Sequence, residues 1–149
     1  MIEANRWQNK RKMTFSFVLS LLIRTFARKI KAMAEHNELG LWGEEVAADY
    51  LQRHGYTIME RDWRSGHRDV DIIAQDGDDV VFVEVKTRRN RVYTDPEIAV
   101  GYQKIRNLQQ AANHYVKYRR IDSPVRFDIV TVVGNPEDEA EIEHIKDAF

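Results

Sequence analysis

Apolar residues recur along the chain first at helical spacing and then at the spacing of strands. Met13 to Ile23 is an apolar run interrupted by Thr14, Ser16 and Ser20. As a helix it gathers Phe15, Val18, Leu19, Leu22, Phe26 and Ile30 on one face, and Ser16, Ser20, Arg24, Arg28 and Lys31 on the other. Leu39 to His54 keeps the helical period and stops at Gly55. Tyr56 to Asp62 predicts a short strand. Asp69 to Gln75 and Val80 to Lys86 predict two more, joined by the turn Asp76-Gly77-Asp78.

Thr94-Asp95-Pro96-Glu97 then supplies an N-cap, a first-turn proline and a capping-box glutamate. The helix it opens is expected to run to about Tyr118, with Ile98, Tyr102, Ile105, Leu108, Ala112, Tyr115 and Val116 along its apolar side. Val125 to Val133 predicts a strand and Ala140 to Ile145 a last one. The order α-β-β-β-α-β, with that extra strand, predicts an α/β domain of three layers, α/β/α, around a central mixed sheet.

Length and composition narrow this picture. The 149 residues suit one main domain, expected over 37–149, preceded by an extension over 1–36. With no cysteine in the chain, disulfides, thiolate zinc sites, iron–sulfur clusters and cysteine nucleophiles are excluded. The five histidines are scattered without metal-ligand spacing, and no Gly-rich phosphate loop is present. The formal net charge of −1 speaks at first against a nucleic-acid binder.

Divided by segment, the charge says something else. Residues 1–36 hold eight Lys/Arg against Glu3 and Glu35, a net of +6. Residues 134–149 hold six acids against Lys146, a net of −5, which leaves −2 for 37–133. The 11-residue apolar run is too short to span a bilayer. Arg24, Arg28, Lys29 and Lys31 separate it from Ala32-Met33-Ala34, which suits secretion poorly, so a cytoplasmic location is expected. Two readings stand for the extension. Residues 13–31 form a basic amphipathic helix for a membrane surface or a partner, or translation starts at Met33 and 1–32 lie upstream of it.

Charges on the strands carry the chemistry. Val80-Val81-Phe82-Val83-Glu84-Val85-Lys86 is a continuous apolar strand interrupted by two charges that project from one face. Charges on a strand covered from both sides are costly unless paired or metal-bound. An exposed ion pair at a strand end is the ordinary alternative. On the preceding strand, Asp69 and Asp71 share a face while Val70, Ile72 and Ala74 take the other. A hairpin brings Asp71 beside Glu84, and two carboxylates together raise each other's pKa unless a cation compensates. A hard divalent ion such as Mg²⁺ or Mn²⁺ suits such an all-oxygen site. On the first helix Glu44 falls with Ala47, Ala48 and Leu51 on the packing side, whereas Glu45 falls with Asp49 and Gln52. Gly40 and Gly43 are expected to leave room for close approach of this helix.

Gly43-Glu44, Asp71 and Glu84-Val85-Lys86 together resemble the PD-(D/E)xK nuclease core. More closely, the chain resembles the YraN family of bacterial proteins, related to archaeal Holliday-junction resolvases. The matching stretches are Gly40 to Ala47, Asp69 to Ile73, Val81 to Arg88, Arg126 to Val130 and Ala148-Phe149, so the resemblance covers about 37–149. Val70 stands where the superfamily pattern has proline, and Asp69 replaces the glutamate usual in the family. Such proteins usually begin near the equivalent of Met33, which sets 1–32 apart. The resemblance implies a restriction-endonuclease-like fold and a metal-dependent endonuclease.

In that reading Asp71, Glu84, Glu44 and the Val85 carbonyl ligate Mg²⁺ or Mn²⁺. Lys86 stabilises developing negative charge, because a cation beside acids suits that role better than general base. Arg61, Arg64, Arg68, Arg88, Arg89, Arg91 and Lys104 flank the acids and are expected to contact nucleic-acid phosphates, with a solvated loop as the ordinary alternative for the arginines. Nothing resembles a recognition helix, so the expected substrate is DNA selected by structure, branched rather than by sequence. The resemblance also implies a homodimer, for which the sequence shows no seam. A catalytically silent binding or assembly module on the same fold remains the rival.

Overall fold

The computed structural model describes residues 2–90 and 101–149, with side chains described from residue 22 onward. By internal contacts the chain divides into two units, Met1–Glu38 and Leu39–Phe149. Helix α1 spans Ile2–Arg53. In the first unit Leu22, Ile23, Phe26, Ile30 and Met33 are all more than half exposed, while Lys31 and Glu35 pair one turn apart at 3.9 Å. Phe15, Val18 and Leu19 lie outside the described side chains. Among the described residues no helix is long and apolar enough to cross a membrane.

The second unit holds β1 (Thr57–Ser65), β2 (Arg68–Asp76), β3 (Asp79–Arg88), α2 (Tyr102–Arg119), β4 (Val125–Val133) and β5 (Glu141–Ile145). The strands form one sheet in the order β1-β2-β3-β4-β5. Pairing is antiparallel throughout except between β3 and β4, which run parallel across the α2 crossover. The sheet is therefore mixed, as the alternation of element types predicts. The tight β1–β2 and β2–β3 turns each use a glycine with positive φ, Gly66 and Gly77, where the reversal needs that conformation.

Two apolar clusters, one on each face of the sheet, make the three layers. Ala47, Ala48 and Leu51 of α1 pack on Ile72, Ala74, Val81, Val83, Val130 and Val132. Leu108, Ala111, Ala112 and Tyr115 of α2 pack on Val70, Ile73, Val80 and Phe82. Gly43 sets how closely α1 approaches β3, because a Cβ there would overlap the Thr87 side chain. Gly40 has no such role: nothing lies within 4 Å of where its Cβ would be. The single helix expected from Thr94 to Tyr118 is also not formed. Gly101 is extended (φ −60, ψ 150) and caps a helix that begins at Tyr102, while Thr94–Glu97 lie outside the described residues.

Strand alternation breaks at Asp71. Val70 belongs to the cluster under α2, whereas Ile72 and Ala74 belong to the one under α1, so the three do not share a face as expected. Opposite the break, Asp62, between the paired residues Arg61↔Ile72 and Trp63↔Val70, takes a left-handed conformation (φ 49), and its neighbours turn to opposite faces: Arg61 pairs with Glu45 of α1 and Trp63 packs on the cluster under α2.

At the opposite end of β3 a charged network ties β4 to its neighbours. Arg126 donates to Asp128 twice (2.9 and 3.1 Å), to Asp79 (3.1 Å), to Asp76 (2.8 Å) and to the Tyr56 hydroxyl (2.9 Å). Asp128 is fully buried and also accepts from the Asp147 N–H at 3.1 Å and lies 2.9 Å from His144 Nε2. Burial alone would raise Asp128; His144 and Arg126 overcome it and hold the carboxyl below its ordinary range.

Candidate active site

β3 carries the centre of the site. Its apolar residues are inserted into both clusters, which buries Glu84 to 2% exposure on the α2 side, next along that face from Phe82. Lys86, two residues on, donates to Glu84 Oε1 at 2.5 Å. Glu84 Oε2 lies 3.1 Å from Lys104 Nζ but outside hydrogen-bonding geometry, so this buried oxygen has no hydrogen bond. Lys104 also donates to Asp69 at 3.3 Å. Burial opposes its charge, yet Glu84 and then Asp71 hold the ammonium above its ordinary range.

Asp71 sits where the β2–β3 ladder ends. Backbone pairing stops at Ile72↔Val83, and beyond it the Asp71 carboxylate accepts the Val85 N–H at 2.7 Å. Burial, then the charge of Glu84, pushes Asp71 up to about 7. The Val85 bond and Lys104 oppose that rise, and Glu44 adds a smaller push. Glu44 is half-buried while its neighbour Glu45 is exposed, so the helix aims the first of the two glutamates inward. Burial and then the Asp62 carboxylate raise Glu44, with Arg61 opposing.

Asp71 and Glu84 are thus brought together, with Glu44 close enough to influence Asp71 but held against Asp62. Among the described residues no three His, Asp or Glu side chains are gathered within common reach of one ion. The donors nonetheless fit a hard divalent cation. All are oxygens, one carboxyl is held proton-poor only at cost, and one buried carboxylate oxygen has no hydrogen bond. The two lysines hold the places beside Glu84 that such an ion would contest.

A family model described as "Uncharacterised protein family UPF0102" matches residues 43–132. The chain belongs to this family. A UPF0102 protein of Bacteroides thetaiotaomicron is 51% identical over 117 residues, covering 78% of this chain and 96% of the relative. One from Porphyromonas gingivalis is 43% identical over 118 residues, covering 78% of this chain and 87% of the relative. The matched UPF0102 span contains Glu44, Asp62, Asp71, Glu84, Lys86 and Lys104.

The flanking basic residues of this UPF0102 chain are placed unevenly. Arg61 is exposed and ion-paired with Glu45 at 2.8 Å. Arg64 and Arg89 are exposed, and Arg68 and Arg88 are half-buried. Arg68 Nε is buried without a hydrogen bond. Arg91 lies outside the described residues. Lys104, expected among the substrate contacts, pairs with Glu84 and Asp69. Asp62 is the residue that pattern reading misses. An acid in Glu60-Arg61-Asp62 reads as surface charge, and its only signal is the tolerance of aspartate for left-handed backbone.

Proposed function

We propose that this UPF0102 protein is a metal-dependent endonuclease that hydrolyses DNA phosphodiester bonds, choosing branched DNA by shape. The observation that carries the reading is Glu84 Oε2, buried without a hydrogen bond beside Asp71 and between two lysines. Charges are tolerated at such depth when a ligand or cation uses them.

Asp71 and Glu84 would hold Mg²⁺ or Mn²⁺, with Glu44 and the Val85 carbonyl as further oxygen donors. When bound, the ion supplies a water of lowered pKa and polarises the scissile phosphate. Lys86, on the rim of the acid pair at 27% side-chain exposure, stabilises negative charge growing on the phosphate oxygens. Lys104 keeps the acids together before substrate arrives. Arg64, Arg68, Arg88 and Arg89 offer contacts to phosphates, which position a duplex without reading its bases.

The test is a panel of linear, flapped and four-way DNA incubated with Mg²⁺ or Mn²⁺, with Glu84→Ala as the control. Cleavage by the native chain and none by the variant, at matched circular dichroism, is the expected result. Binding without cutting under every metal would point to the silent module instead. Separately, the exposed Leu22, Phe26 and Ile30 among basic residues favour a membrane-surface role for the first unit. Liposome flotation with anionic vesicles, comparing the chain with a Leu22→Asp/Phe26→Asp variant, tests it; equal flotation rejects it.

A further inference from the structure

Between β1 and α2 lies an open groove of about 670 Å³ lined by Trp63, Arg64, His114, Lys117 and Tyr118. That volume falls in the range of small-ligand clefts. Its lining pairs aromatic rings with cations, and no lining residue is acidic. Trp63 is half-buried and fixed edge-on against Tyr115, with ring centroids 5.2 Å apart at 83°. Tyr118 is 76% exposed, with the Arg119 guanidinium 5.7 Å from its ring. The Ser65 hydroxyl and His114 Nδ1 hydrogen-bond at 2.6 Å, which holds β1 to α2 along the groove.

The groove and the acid cluster are joined through one residue. Left-handed Asp62 lies near enough to Glu44 for its carboxylate to raise it, and the next residue, Trp63, packs on the α2 side. Chain that leaves the acids therefore enters the groove at once. An exposed ring beside a fixed ring, with Arg64 and Lys117 at hand for phosphates, is the combination by which proteins hold unpaired nucleotides: bases stack and the backbone meets cations. A base pair in a duplex offers no free π-face to such rings.

We infer that this groove binds an unpaired segment of single-stranded DNA flanking the cleavage point. The inference rests on the endonuclease reading for its biological sense, but its test does not use cleavage. Labelled oligothymidylate and a duplex of equal length are titrated with the full chain in EDTA, by fluorescence anisotropy at fixed salt. Tyr118 is largely exposed, so Tyr118→Ala should fold normally, which circular dichroism checks. The variant is expected to bind oligothymidylate about tenfold more weakly, the scale of one lost stack, with duplex affinity changed less than about twofold. Tyr118→Phe should restore the native value.

No measurable oligothymidylate binding by the native chain would overturn the inference. So would an unchanged Tyr118→Ala, an equal loss on duplex, or a Tyr118→Phe as weak as alanine. A chain that binds through Tyr118 and never cuts rejects the nuclease reading and keeps the groove. Cutting with binding indifferent to Tyr118 does the reverse.

Discussion

Lys104 of α2 stands 3.1 Å from Glu84 of β3, and the same ammonium reaches Asp69 of β2 at 3.3 Å. One side chain from the crossover helix thereby supplies counter-charge to two strands. That ammonium stands beside the carboxylates a bound ion would contest. Lys104→Gln should therefore bind Mn²⁺ several-fold more tightly than the native chain, read by calorimetry, while its unliganded melting temperature falls. Weaker Mn²⁺ binding by the variant would show that Lys104 helps to build the ion site rather than competing for it.

Asp71 is a second lever on the same balance. Its carboxyl is raised to about 7 by burial and Glu84, so replacing it with a neutral amide removes a cost. Asp71→Asn is expected to melt a few degrees higher at pH 7.5 and to lose metal-dependent cleavage, a trade of stability against function. A variant that melts lower would mean that the Val85 N–H bond matters more than the repulsion.

The pH dependence follows from the directions of two shifts. An unfolded aspartate releases its proton near pH 4, whereas folded Asp71 keeps it to about 7. The folded chain thus binds more protons in that window, and rising pH through it lowers stability. Asp76 behaves oppositely. Its hydrogen bond with Arg126 lowers it to about 2, so its contribution is lost as pH falls from about 4 toward 2. Thermal melts of the unliganded chain should decline on both sides of about pH 4 from these two groups. Asp71→Asn should flatten the upper limb, and saturating Mg²⁺ should do the same in the native chain.

Gly43→Ala tests the seat of α1. A methyl group there meets Thr87, and overpacking of this kind costs about 1–3 kcal/mol. Urea denaturation should show that loss, and Thr87→Ala in the same chain should recover most of it. Gly40→Ala, with open space around it, should be neutral or slightly stabilising.

Arg126→Met leaves fully buried Asp128 without its bidentate partner. Stranding a buried charge costs about 3–5 kcal/mol, so this should be the most destabilising single change of the set by chemical denaturation. A loss under about 1 kcal/mol would mean that His144 and the Asp147 N–H together satisfy Asp128.

Much of this is legible in the amino-acid sequence. Val125–Val133 lies where its apolar run predicts, and the periodicity of Ala47, Ala48 and Leu51 points Glu44 inward. Such features follow from local period and burial. What escaped depends on placement across the chain. The β2–β3 ladder ends at Asp71, across the sheet from left-handed Asp62, and the Lys104–Glu84 pair forms only through the α2 crossover. The network around Arg126 draws on residues as far apart as Tyr56 and Asp128, a separation that no local pattern encodes.

The parallel seam between β3 and β4 has a consequence in time. β1, β2 and β3 are joined by tight turns and need close only short loops, whereas Val80 must wait for Val125. Loop closure favours the local meander first. On that order Asp71 and Glu84 come together before α2 brings Lys104 to them, so their repulsion is not yet offset by that ammonium. Dissolved cations are the counter-charge present at that stage, so the ionic composition of the folding medium bears on how fast the domain forms.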